Sequence, residues 1–215
     1  MAVQLIYETH STTRDNEAGI ATGWLPGELS EAGVQNAADL GERRRDDGID
    51  VIYASDLQRA VQSTQIALGD SGIPIRTDQR LRGCNYGDLN GASVEALKPR
   101  TAYIDQPFPG GQSYRQVVAQ TENFLSDLLE RHGGGRVLVI SHSANRWALD
   151  NLLLGTRLED LVEAPFAWQE GWEYTLPTGW STHSGRNFPT RYEPDGLGCA
   201  AAGIARSPTV CYMHP

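Results

Sequence analysis

Two short apolar runs constrain what this chain can fold into. Leu5-Ile6-Tyr7-Glu8-Thr9-His10-Ser11 and, far along the chain, Val137-Leu138-Val139-Ile140-Ser141-His142-Ser143 are near-continuous hydrophobic segments that both end in His then Ser. Runs of this length and composition read as strands buried on both faces, as in a parallel sheet covered by helices. On such a sheet the ligand crevice lies outside the carboxyl ends of the strands, where a strand delivers one reactive side chain and the next loop supplies donors. The loop after His10 carries the hydroxyls of Ser11, Thr12 and Thr13 and the amide of Asn16. The pattern therefore predicts two imidazoles meeting at one sheet edge beside a donor-rich loop.

The segments between these runs alternate in type. Ser30 is the expected N-cap of a helix reaching about Arg45, with Leu29, Val34, Ala37, Ala38 and Leu40 on its apolar face. Arg43, Arg44 and Arg45 suit the negative end of its macrodipole, and Gly48 stops it. Val51-Ile52-Tyr53-Ala54 reads as a buried strand, followed by a helix capped by Ser55 or Asp56 and running to about Leu68. Ile73–Arg76 is a further short strand, residues 81–91 are mostly loop, and a long helix spans about Ser113 to Arg131. After the second histidine come a helix over Ala144–Leu154 and an alternating edge strand, Trp172–Leu176. This order implies an α/β fold of three layers, α/β/α, around a mostly parallel sheet over residues 1–177. Beyond Pro177 the periodicity disappears, so residues 178–215 are expected to form a poorly ordered tail.

The 215 residues carry a net charge of −9, which argues against a nucleic-acid or anionic-membrane partner. All but one of the 18 basic residues are arginine, so a small local anion pocket built from Arg is still available. The first strand begins at about residue 3 and no apolar run approaches the ~20 residues of a membrane span, which makes the cytoplasm the expected location. Cys84, Cys199 and Cys211 are scattered and odd in number, with no zinc-like spacing; no disulfide framework, metal or cofactor is expected. The sequence does not set the oligomeric state, and a homodimer is one option.

A histidine with one ring nitrogen held by a hydrogen bond can attack a phosphoryl group through the other, provided fixed cations neutralise the equatorial oxygens. Arg59, in the first turns of the helix after Val51–Ala54, is placed to aim at the same cleft as His10 and His142. Together the motifs resemble the histidine phosphatase superfamily, branch 1, the phosphoglycerate-mutase-like group. Thr9-His10-Ser11-Thr12-Thr13 falls on the family's Arg-His-Gly-x-Thr/Ser, with Asn16 on the Asn that follows. Gly19, Gly23-Trp24-Leu25, Leu29-Ser30 and Gly33 fall on its next landmarks, and Ser55-Asp56-Leu57-Gln58-Arg59-Ala60 on its Ser-x-Leu-x-Arg-Ala. Tyr86–Gly91, Pro109-Gly110-Gly111-Gln112-Ser113 and Ile140-Ser141-His142-Ser143 complete the series in order. The resemblance implies a phosphoglycerate-mutase-like fold and a metal-independent phosphomonoesterase acting on a small phosphorylated metabolite. His10 would be the phosphoryl acceptor, and Arg59 and His142 would bind the phosphoryl group. Thr9, Ser11, Thr13, Asn16, Gly23 and Ser143 would line the substrate site.

Two positions depart from the family pattern. Thr9 stands where the family has an Arg, a loss of charge-assisted contact that costs about 2–4 kcal/mol at a transition state unless another cation fills in. Arg14 and Arg146 are the candidates weighed for that role. Gly83 stands where the family has its general-acid Glu, a function worth about 10²–10⁴-fold. Glu8, two positions before His10, is the candidate replacement acid, and a Glu restored at position 83 is expected to raise turnover. The stretch from Gly91 to Pro109 is short where mutases commonly carry an insertion, which favours a phosphatase over a phosphomutase. Two further readings stay open: a degenerate member that binds a phosphorylated ligand without turnover, and a metal-dependent hydrolase.

Overall fold

The computed structural model describes residues 1–166 and 168–181. Along the chain run β1 (Val3–Thr9), α1 (Arg14–Glu17), α2 (Glu31–Arg44), β2 (Val51–Ala54), α3 (Gln58–Leu68), β3 (Ile75–Thr77), α4 (Tyr114–His132), β4 (Arg136–Ser141), α5 (Ser143–Leu154), α6 (Leu158–Val162) and β5 (Trp172–Leu176). The sheet order is β3-β2-β4-β1-β5. β1, β2, β3 and β4 pair in parallel, and β5 closes the edge antiparallel to β1. The two histidine-bearing runs are thus neighbours at the centre of the sheet, with Thr9 opposite Ser141.

Alternate residues of the central strands feed the two helical layers, as strand geometry requires. Ile6, Ile52, Leu138 and Ile140 pack with Leu40 and Leu68 from α2 and α3. Leu5, Tyr7, Val137 and Val139 pack on the other face with Phe124, Leu125 and Leu128 of α4 and Leu149 of α5. A third cluster, including Ala21, Cys84, Leu97, Phe108, Tyr114, Val117 and Trp147, ties the long 81–113 segment to α4, α5 and α6. The outcome is the three-layer α/β arrangement expected from the sequence.

Local chemistry sets the helix starts. Ser30 caps α2 by accepting from the Gly33 N–H at 3.1 Å, and Ser113 forms a capping box with Gln116 at the start of α4. Gly33 also lets α2 lie directly on the loop after β1, since a Cβ there would run into the Thr12 carbonyl. The start of α3 differs from expectation: Leu57 occupies the N-cap without a side-chain bond, and neither Ser55 nor Asp56 caps the helix. Ser55 is drawn to His142 and Asp56 to Arg82 instead. β3 begins two residues later than expected and pairs only with β2. Trp180, within the expected tail, packs partly buried against the core; residues 182–215 lie outside the described residues.

Glu8 is corrected here as a candidate site acid. It is 2 % exposed and bound by Arg44 Nε at 2.9 Å, with Arg43 at 3.4 Å. β1 ends at Thr9, so the strand alternation that relates positions 8 and 10 does not extend to His10. Glu8 instead reaches across to the C-terminal end of α2, where Arg44 also holds Asp47 at 2.9 Å and the Glu170 carbonyl at 2.7 Å. Removing one partner of a buried ion pair strands the other charge. Glu8→Ala is expected to destabilise the protein by about 2–4 kcal/mol in urea denaturation.

Candidate active site

Three adjacent strands, β2, β4 and β1, deliver the three principal side chains from their carboxyl ends. Arg59 lies in the first turn of α3, His142 is the N-cap of α5, and His10 follows β1 directly. The His10 N–H donates to the Ser141 carbonyl at 2.8 Å, which continues the β1–β4 ladder to the edge of the cleft. From the core side the Tyr7 hydroxyl donates to the His142 carbonyl at 2.6 Å. The two imidazoles meet with centroids 5.0 Å apart and planes at 60°.

The hydrogen bonds fix both tautomers. His10 Nδ1 lies 2.9 Å from the Ser11 carbonyl, which can only accept, so the proton sits on Nδ1 and Nε2 carries the lone pair. Arg59 Nε donates to that Nε2 at 3.2 Å. One terminal nitrogen of Arg59 donates to the Gly23 carbonyl at 2.8 Å and to His142 Nδ1 at 3.3 Å. His142 therefore carries its proton on Nε2 and donates it to the Ser55 hydroxyl at 2.9 Å. Burial, with the Arg59 charge and His10 adding to it, holds the His142 pKa well below the ordinary imidazole value, so the ring is neutral.

Arg59 is 5 % exposed and, among the described residues, has no carboxylate within ion-pair distance. Burial lowers its pKa to about 10, only partly offset by Tyr86 and Asp15, yet it stays cationic at neutral pH. A buried guanidinium held by carbonyls and imidazoles, without a counter-ion, is a standing demand for an anion.

The cleft around these groups is lined by His10, Asn16, Thr22, Gly23, Arg59, Gly83, Cys84, Tyr86, Arg100, His142, Ser143 and Trp147 among others. Ser143 and Ala144 place the first turn of the twelve-residue α5 in the wall, so the positive end of its dipole faces the same space. No Asp or Glu lines it among the described residues. Among the described residues no cluster of three or more His, Cys, Asp or Glu is placed to hold a metal ion.

Of the residues singled out in the sequence, His10, Arg59, His142, Asn16, Gly23 and Ser143 converge here. Thr9, Ser11 and Thr13 do not line the cleft. Thr9 ends β1 in register with Ser141, and Ser11 is anchored by its N–H to the Ser63 hydroxyl at 2.8 Å. Thr13 forms a capping box with Asn16, which orients the Asn16 amide. Neither arginine considered as a substitute for the family's first Arg reaches the site. Arg14 is exposed beside Glu28, and Arg146 is held by Asp150 at 2.9 Å and lies against Trp172.

Gly83 is more than a missing acid. A Cβ built there would sit 2.9 Å from His142 Cβ and 3.0 Å from Cγ, so a Glu cannot be restored without displacing His142. A Glu at that position is therefore expected to disturb His142 rather than to raise turnover. Sequence reasoning also missed the part played by Ser55, which opens the Ser-x-Leu-x-Arg-Ala match but was read as a helix cap, and Arg100, on a loop without periodicity; the bond of Ser55 to His142 emerges only when the strand ends are brought together.

Fold and cleft together define an α/β protein in which two histidines and Arg59 converge at the carboxyl ends of the central strands. Residues 9–169 match the model of the Histidine phosphatase superfamily (branch 1), and the chain belongs to that family. It is 33% identical over 159 residues to a 2,3-bisphosphoglycerate-dependent phosphoglycerate mutase of Allorhizobium ampelinum, covering 66% of this chain and 75% of the relative. Among solved structures, YhfR of Bacillus stearothermophilus matches with a TM-score of 0.69 and 26% identity, covering 78% of this chain and 88% of that one. A mycobacterial glucosyl-3-phosphoglycerate phosphatase matches with a TM-score of 0.67 and 25% identity, covering 75% and 84%.

Two outcomes follow from the electrostatics. Arg59→Met relieves an unpaired buried charge, so the free protein should be within about 1 kcal/mol of wild type in urea, or more stable. The same variant should lose the rise in melting temperature that inorganic phosphate gives the wild type. The depressed His142 pKa means that the unfolded chain takes up its proton first as the pH falls. The stability linked to His142 is full above about pH 6.5 and declines below it by up to about 1.4 kcal/mol per pH unit. Urea midpoints measured from pH 7.5 to 5 should show that slope in the wild type and a shallower one in His142→Asn.

Proposed function

We propose that this protein is a phosphomonoesterase that acts without a metal on a small phosphorylated metabolite, through a phosphohistidine at His10. The observation that carries the reading is Arg59: a buried, counter-ion-free guanidinium that donates at once to His10 Nε2 and to His142 Nδ1. A phosphoryl group entering between the imidazoles supplies the missing anion. The lone pair on His10 Nε2 attacks phosphorus, Arg59 and the α5 N-terminus neutralise the oxygens, and the ester oxygen leaves with the bonding pair. A dianion beside His142 raises its pKa, so proton uptake at Nδ1 turns this acceptor into a donor toward a phosphoryl oxygen. Water then attacks the phosphohistidine and releases inorganic phosphate.

The family relationship supports phosphoryl chemistry, and relatives include both a named mutase and a named phosphatase. The short Gly91–Pro109 segment favours the phosphatase side. The cytoplasm remains the location expected from the sequence. A second reading, ligand binding without turnover, is favoured by the lining, to which no carboxyl group contributes among the described residues. Without such an acid the leaving oxygen departs unprotonated, and esters with good leaving groups gain most.

In the presence of a chelator the wild type should hydrolyse an aryl phosphate and act about 10²–10⁴-fold more slowly on an alkyl phosphate. His10→Ala should abolish both activities. Aryl phosphate turnover at wild-type rate in His10→Ala overturns the mechanism, and phosphate binding without any turnover establishes the second reading.

A further inference from the structure

Hydrolysis of a phosphohistidine needs a group that takes a proton from the attacking water, and among the described residues no carboxylate lines the cleft. One stands a layer behind the wall. Thr22 lines the cleft, is 6 % exposed, and donates its hydroxyl proton to Asp15 Oδ2 at 2.7 Å. Asp15 lies half-buried in α1, and Arg14 beside it pairs with Glu28 instead. A hydroxyl that has given its proton to a carboxylate keeps two lone pairs with which to accept another.

The loop after α1 sets this pair beside the reacting groups. Gly23, next in the chain after Thr22, accepts from Arg59 at 2.8 Å; the same nitrogen reaches His142 Nδ1, and Arg59 Nε reaches His10 Nε2 at 3.2 Å. Gly27 marks the point where the three side chains meet. A Cβ there would lie 3.0 Å from Thr22 Cγ2, 3.6 Å from Asp15 Oδ2 and 3.8 Å from Arg59 Cδ. The loop is already tied to α1 through the backbone, since the Ile20 N–H donates to the Asp15 carbonyl at 2.9 Å. The carboxylate is thus left to the hydroxyl in the cleft wall.

We propose that Thr22 and Asp15 form a proton relay for the water that attacks phospho-His10, with Thr22 as the catalytic residue and Asp15 acting through it. The inference rests on the phosphohistidine reading. The water oxygen bonds to phosphorus as the phosphorus–nitrogen bond breaks, and that electron pair returns to His10 Nε2. A water proton passes to Thr22 Oγ1 while the Thr22 proton passes to Asp15 Oδ2, from which it is released to solvent. Base help of this kind contributes about 10²–10⁴-fold. The relay has no proton to give the leaving ester oxygen, because the Thr22 proton is already directed at Asp15; it serves the second step alone.

Rapid-quench kinetics with an aryl phosphate, following phenolate release and phosphohistidine together, separates the two steps. In Asp15→Asn the first step should stay within a few-fold of wild type, and phosphohistidine should build up and decay about 10²-fold or more slowly than in the wild type. Thr22→Val should behave alike, and Thr22→Ser should recover part of the lost decay rate. A bond that only braces the loop would slow both steps together or neither. Decay at the wild-type rate in Asp15→Asn, or an equal loss in both steps, therefore overturns the inference. Should that variant not fold, equal decay in Thr22→Val and Thr22→Ser overturns it as well. If the wild type forms no phosphohistidine, the phosphoryl-transfer reading falls and the relay with it. Phosphohistidine that turns over at one rate in the wild type and in both relay variants removes the relay and leaves that reading standing.

Discussion

The parallel pairing of β1 with β4 is the constraint on which the rest of the site depends. Its register sets Thr9 opposite Ser141, and the residue that follows the end of each strand is a histidine. Two bonds lock the ends at that point, His10 N–H to the Ser141 carbonyl and the Tyr7 hydroxyl to the His142 carbonyl. A slip of one residue would turn Ile6, Leu138 and Ile140 away from α2 and α3, so burial of the core and meeting of the imidazoles are set by the same register. β2 on the other side of β4 adds Arg59 from the start of α3, and the three strand ends act as one rigid template.

Charge placement separates the cleft from the remainder of the molecule. Several arginines elsewhere meet acids: Arg44 with Glu8 and Asp47, Arg80 with Asp78 and Asp127, Arg82 with Asp56. Arg59 and Arg100, both buried in the cleft wall, meet none among the described residues. In a chain with a net charge of −9, acids are abundant, so their exclusion from this lining concentrates the positive potential there. The α5 N-terminus adds to it without a side chain.

The strand ends and their imidazoles were legible because buried parallel strands leave continuous apolar runs, and Arg59 because it follows such a run at helical distance. The supporting groups were not. Ser55 has the chemistry of a helix cap, and only the approach of β4 to β2 turns it toward His142. Glu8 has the parity of a site residue, but β1 ends before His10 and Arg44 claims the carboxylate. Thr13 carries the hydroxyl of a ligand-binding loop, yet a four-residue helix needs its cap more than the cleft needs its oxygen. Arg100 sits in a segment of short 3₁₀ turns, where no period announces which side chains face inward.

The segment around Gly83 shows why a motif substitution is not always a vacancy. Arg82 is held by Asp56 through bonds of 2.7 and 2.6 Å and lies over the Trp24 ring, while the Trp24 indole donates to the Gly83 carbonyl at 2.7 Å. Ser141 donates to the Leu81 carbonyl, and Asn145 reaches that of Arg82 at 3.3 Å. These bonds, from the loops before α2 and α3 and from β4 and α5, hold the backbone so close to His142 that a Cβ at position 83 would meet its side chain. The glycine is therefore a packing requirement of this version of the site. Space that an acid side chain would occupy is filled by His142 itself, held neutral and pinned to Ser55. What the backbone there provides is close packing on His142, so the substitution reads as part of the architecture of this cleft and not as the bare loss of a side chain.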